Sequence, residues 1–126
     1  MTTMMPPTTE IDQILAGMRA SMGEIPPAIV KAATSDPRMV AEQFRSSAFA
    51  MPGEGGALDP ETRTLVYLAV ALATSNHACT TAMLNKARVQ SISSDKLLEA
   101  LHIARYAMAT KVLGDAEPVF DLIAER

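Results

Sequence analysis

Hydrophobic positions recur along the chain at helical spacing, and no segment alternates with the period of a strand. Ile11, Ile14, Leu15, Met18 and Met22 follow an i, i+3, i+4, i+7, i+11 series. That series predicts a first helix with Thr9 as its N-cap and Gly23 as its stop. Residues 1–8, short, polar and proline-bearing, read as a loose lead-in. Pro26-Pro27 forces a turn before a short helix over about Ala28–Ala33, and Ser35-Asp36-Pro37 is a second start signal. Met39, Val40, Phe44, Ala48 and Met51 supply the next apolar stripe. Pro52–Ala57, PGEGGA, is the clearest loop, because three glycines and a proline do not continue a helix.

The stretch Leu58–Lys86 organises the rest. Asp59 is placed to cap, Pro60 suits the first helical position, and Glu61 complements the positive first turn. Every position from Leu65 to Ala73 is apolar, which predicts a helix buried on all sides. Thr74-Ser75-Asn76 are poor helix formers and good caps, so a second helix restarts there. The only cysteine, Cys79, thus gathers with His77, Thr80 and Thr81 at one helix–helix corner. Beyond a connector at Val89–Ile92, Ser93 caps a helix whose buried side is traced by Leu97, Leu98, Leu101, Ala104, Arg105 and Met108. Gly114 is expected to end it, and Asp115 to cap a last short helix carrying Val119, Phe120, Leu122 and Ile123. The pattern gives a single all-α domain over residues 9–126, with six or seven helices, antiparallel where loops are short.

Composition narrows the classes. A chain of 126 residues fits one core, and nine Met with no Trp make that core aliphatic. The net charge of −3 without a basic cluster argues against nucleic acid and against a membrane surface. The run Leu65–Ala73 is far too short to cross a bilayer, and no secretory signal pattern opens the chain. One cysteine forms no internal disulfide, so a reducing cytoplasm is the expected setting. So apolar a set of helices in a small chain is expected to share its core with other copies.

The segment LDPETRTLVYLAVALA, followed by a polar corner, a helix and then S-x-x-K-L-L-E-A-L, resembles the carboxymuconolactone decarboxylase superfamily, which includes alkyl hydroperoxide reductase D. The resemblance covers Leu58 to about Val112, and the D-P-x-T-R run is its most specific part. It implies an all-α fold with a central two-helix hairpin, and a homotrimer or homohexamer. The peroxidase branch of that family uses a Cys-x-x-Cys pair, a histidine one helical turn later, and a glutamate on the preceding helix. Here those positions hold Asn76, Cys79, Met83 and Thr64, so only the second cysteine is kept. The decarboxylase branch lacks the cysteines but keeps the histidine, and that position is again Met83.

Four residues are therefore candidates for chemistry: His77, Cys79, His102 and Tyr106. Cys79 stands near a helix start, where the positive end of the dipole favours a thiolate. The alternative is an inert core cysteine whose alkylation waits for unfolding. His77 is two residues before Cys79, an offset that points away on a regular helix but is looser in a first turn. His102 and Tyr106, one turn apart, make a polar patch for acid–base work or a plain helix flank. Asn76, Met83 and Thr80 are candidates to contact a small-molecule ligand, although capping alone accounts for Asn76. Cys79, Met83, His77 and His102 form a soft donor set of the kind copper prefers, but no spacing demands a metal, and neither metal nor cofactor is expected. Arg63 and Glu61 are expected in surface or intersubunit ion pairs. The leading reading is a family member, lyase- or isomerase-like if it is an enzyme, that binds or transforms a small, largely apolar molecule by cofactor-free acid–base chemistry. The competing readings are a single-cysteine peroxidase or thiol redox protein using Cys79, and a non-catalytic oligomeric interaction protein.

Overall fold

The structure, a computed structural model, describes residues 8–126. Its elements are α1 (Thr8–Met22), α2 (Pro27–Ser35), α3 (Pro37–Ala50), α4 (Pro60–Ala73), α5 (His77–Val89), α6 (Ser94–Asp115) and α7 (Glu117–Ala124). The described residues contain no strand. None of the described helices is long and apolar enough to cross a membrane. The lead-in expected over residues 1–8 lies outside the described residues up to position 7, and Thr8 is already helical.

Side-chain caps start most of the helices where the sequence marks them. Asp36, Asp59, Asn76 and Ser93 each accept from the backbone N–H three residues on, and Pro37 and Pro60 follow two of them as first helical residues. Two expected boundaries move. Thr9 lies inside α1 rather than flanking it, because the helix has already begun at Thr8. Asp115 is the last residue of α6 and pairs with Lys111 one turn earlier, so Ala116 takes the cap position of α7 without a side-chain bond. Gly114, tolerated within the last turn, does not end α6.

Two small clusters of helices share one seam. Ile11, Ile14 and Val40 form the first core, with Leu15, Met18, Ile29, Ala32 and Ala33 packed on it, so α1, α2 and α3 close around it. In the second, α4 lies between α5 and α6. Leu68, Ala71, Met83, Ala87, Ala100 and Ala104 are buried there. Packing of α1 on α5 joins the two.

The expectation of an all-round buried α4 does not hold in the chain. Thr64, Leu68 and Ala71 are buried at the i, i+4, i+7 spacing of one face, while Val66 and Val70 are more than half exposed. The reason is geometric: two neighbouring helices cover two flanks of a cylinder and leave a third open. The same holds for α6, where Ala100 and Ala104 are buried but Leu98, Leu101 and Met108 are exposed, and Leu97 is half-buried. No residue of α7 is buried.

The account of α4 as the centre of the second cluster makes Leu68, 3 % exposed, its most demanding apolar position. Leu68→Ala is expected to lower stability by about 2–5 kcal/mol, the range for a leucine truncated in a core. Urea unfolding with an unchanged m-value is the check.

Candidate functional site

The α4–α5 corner is a tight turn made without glycine. Ser75 adopts a left-handed conformation at φ 57°. The N–H of Asn76 then reaches back to Ala71 O at 2.9 Å and that of Ser75 to Leu72 O at 3.3 Å, the paired bonds of a Schellman ending. Ser91, at φ 55°, closes α5 in the same manner, with Ile92 N–H bonded to Ala87 O. The short turn, with Asn76 capping α5 directly after α4 ends, and the Thr64–Gln90 bond at the far end set the antiparallel register of α5 against α4.

That register brings Cys79 to Tyr67, with Oη and Sγ 3.2 Å apart. Cys79 is half-buried, in the first turn of α5, with its N–H held by Asn76 Oδ1 at 3.0 Å. The thiol is therefore neither sealed in the core nor loose on the surface. Its hydrogen bond to Tyr67 is the chief cause, ahead of burial and the charge of Cys79, that holds the Tyr67 phenol above the usual tyrosine range. A phenol kept protonated against a thiol is an acid within reach of a nucleophile.

The other predicted site residues fall in three groups. Asn76 caps α5, and Thr80 Oγ1 donates to Asn76 O at 2.9 Å, so both serve the corner's own backbone. Met83 is 7 % exposed and belongs to the α4–α5 core. His77 is exposed at the first position of α5. His102 and Tyr106 are exposed on α6, which packs on the other flank of α4, and Tyr106 is 73 % exposed. The chain thus joins Cys79, Asn76 and Thr80 at one corner and sets His102 and Tyr106 on a different helix.

Three residues escape a sequence reading. Tyr67 is hidden in an apolar run, where it counts as one more hydrophobic position. No spacing signalled the pairing, since Tyr67 lies seven residues before the turn at residues 74–76 and Cys79 three after it. Thr64, 0 % exposed, lies 3.2 Å from Pro60 O and 2.8 Å from Gln90 Oε1, and its single hydroxyl proton serves one of them at a time. Arg63, expected in a surface or intersubunit pair, is instead buried, and Glu61 pairs with Lys96 at 3.0 Å. A DPET start puts Arg63 on the same side of α4 as Tyr67 one turn later, with its guanidinium against the 52–57 loop.

In a Tyr106→Phe background Tyr67 is the sole tyrosine. Its tyrosinate absorbance is expected to appear above the ordinary range, and Cys79→Ala to bring it back toward the reference value of 10.0. The sign for stability follows. The contribution of the neutral phenol is whole below that reference value and is lost as pH rises through the raised one. A titration that Cys79→Ala leaves unmoved would contradict the contact.

Comparison with known proteins agrees with this architecture. No curated protein matches the chain. Among solved structures, the chain is similar to the alkylhydroperoxidase AhpD core from Rhodospirillum rubrum, at 28% sequence identity and a TM-score of 0.70. The match covers 92% of this chain and 90% of that one. The description of the carboxymuconolactone decarboxylase family matches residues 40–121, from the first turn of α3 into α7. With two thirds of the chain matched and the expected all-α hairpin architecture in place, the protein belongs to the carboxymuconolactone decarboxylase family.

Proposed function

We propose that this family member works through one thiol, with Cys79 as the reacting group and Tyr67 as its proton partner. The observation that carries the reading is the 3.2 Å contact between Tyr67 Oη and Cys79 Sγ. An intramolecular dithiol cycle is closed to the chain, because no second cysteine exists to resolve an oxidised Cys79. A single-thiol cycle remains open. The Cys79 thiolate attacks the terminal oxygen of a small organic hydroperoxide, the S–O bond forms as the O–O bond breaks, and sulfur is oxidised by two electrons. The leaving alkoxide takes the proton of Tyr67, which water replaces, and an alcohol departs. An external small-molecule thiol then displaces water from the sulfenic acid to give a mixed disulfide. A second equivalent releases Cys79 and an external disulfide. In this role Tyr67 stands in for the acid–base group whose family position is occupied here by Met83.

A second reading has its own support. Between α4 and α6 lies a cleft of about 230 Å³ lined by Leu65, Val66, Ala69, Ala100 and Ile103, with Lys96 and Glu99 at its rim. Such a cleft suits a small, largely apolar molecule handled by cofactor-free acid–base chemistry, in a lyase- or isomerase-like protein without redox turnover. The half-exposed apolar side chains of α4, α6 and α7 also support assembly of several copies, a homotrimer or homohexamer.

Trapping with dimedone separates the readings. Native protein exposed to an organic hydroperoxide is expected to give one adduct, at Cys79, and Tyr67→Phe to slow its formation by about 10²-fold, the low end for loss of a positioned acid. Mass spectrometry of the intact chain reads both. An adduct that forms only after unfolding would overturn the single-thiol reading and leave the acid–base one standing.

A further inference from the structure

The strongest unexplained feature lies one turn along the α4–α5 seam from the thiol. Arg63 is 8 % exposed, and its Nη1 is buried with no hydrogen-bond partner among the described residues. Its Nη2 makes one long contact, 3.5 Å, to Gly53 O. The described ion pairs are Glu42–Arg45, Glu61–Lys96 and Asp115–Lys111, so no described carboxylate pairs with Arg63. Residues 1–7, MTTMMPP, contain no Asp or Glu to supply one. A guanidinium is never deprotonated in a protein, so the charge itself must be met.

A second cation shares the place. Lys86, half-buried on α5, is held below its usual range first by burial and then by the charge of Arg63. Like charges on two packed helices, both partly removed from water, repel, and an anion relieves that cost. The cover over the guanidinium is unusual too. Gly56 lies so close that a methyl group there would run into Arg63 Nη1 and come within 3.2 Å of the Pro52 ring. The roof is therefore bare backbone of the glycine-rich loop 52–57, whose residues 53–57 are all exposed.

We propose that Arg63, beneath the 52–57 loop, forms with Lys86 on the neighbouring helix α5 a binding site for a small oxyanion, an organic carboxylate or inorganic phosphate. The guanidinium fork presents parallel N–H groups to two oxygens, and Lys86 adds a point charge from the facing helix. A free anion fits better than a side chain of another copy. The orphan N–H lies under the chain's own loop, where a small ion enters on a slight lift and a second protein would have to displace the loop. The site does not depend on the thiol chemistry, since none of its groups is Cys79 or Tyr67.

Calorimetric titration of the whole protein with acetate, and separately with phosphate, at constant ionic strength set by chloride, tests the site. Saturable binding of at least one of the two is expected. Lys86→Met, at a half-buried position, is expected to weaken it about tenfold, the loss of one charge-assisted bond. Arg63→Met is expected to abolish it, and Arg63→Lys to restore part of it. Should Arg63→Met fail to fold, Lys86→Met alone decides the question. Binding equal in wild type and Lys86→Met, or no saturable binding of either anion, overturns the proposal. So does an Arg63→Met variant that dissociates a stable assembly while wild type binds no free anion, since a partner's carboxylate would then be the counter-charge. Absence of anion binding to the wild type, with an intact Cys79 sulfenate reaction, would condemn this site and not the thiol reading.

Discussion

The register of α4 against α5 is the constraint on which the rest depends. Asn76 caps α5 three residues after α4 ends, and Ser75 takes the left-handed conformation that lets the chain reverse. A slip along the seam would break the Thr64–Gln90 bond across it and strain the three-residue turn. The register then decides which chemistry meets. Tyr67 meets Cys79 near the turn, Thr64 meets Gln90 at the far end of α5, and Lys86 lies close enough to feel the charge of Arg63. A change of one residue in the turn would rotate α5 by about 100°, from 3.6 residues per turn, and separate all three.

Much of the fold was legible from local signals. Asp36-Pro37, Asp59-Pro60, Asn76 and Ser93 act where the sequence marks them, because capping is a matter between near neighbours. Not every such signal is used: α1 runs through Thr9, and α6 through Gly114 to Asp115. The burial of α4 was the largest misreading. An apolar run states that water is unfavourable around it but not what replaces the water, and within the chain Val66 and Val70 have no cover.

The site was legible at its corner and hidden at its partners. Cys79, Asn76 and Thr80 are close in sequence, so their grouping needs only one helix start. Tyr67, Thr64 and Arg63 act across the seam, and their roles depend on a register that hydrophobic periodicity does not encode. Thr64 illustrates the exchange. Where the peroxidase branch resembled by the sequence carries a glutamate, a fully buried threonine bonds Gln90, a neutral pair that needs no proton relay to the core. Met83, at the histidine position, likewise fills space rather than moving protons. On that resemblance, neutral side chains stand at positions where the peroxidase branch carries its glutamate and histidine, and the phenol of Tyr67 is the hydroxyl in contact with the thiol.

The central claim is that Cys79 is a working thiol set by Tyr67, not a core residue. The rate of iodoacetamide alkylation at neutral pH, native against urea-unfolded, addresses it most directly. The account predicts that native Cys79 reacts at a rate at least comparable to the unfolded thiol, and that Tyr67→Phe changes the native rate while leaving the unfolded one alone. Alkylation that waits for unfolding, or a native rate indifferent to Tyr67→Phe, would contradict it.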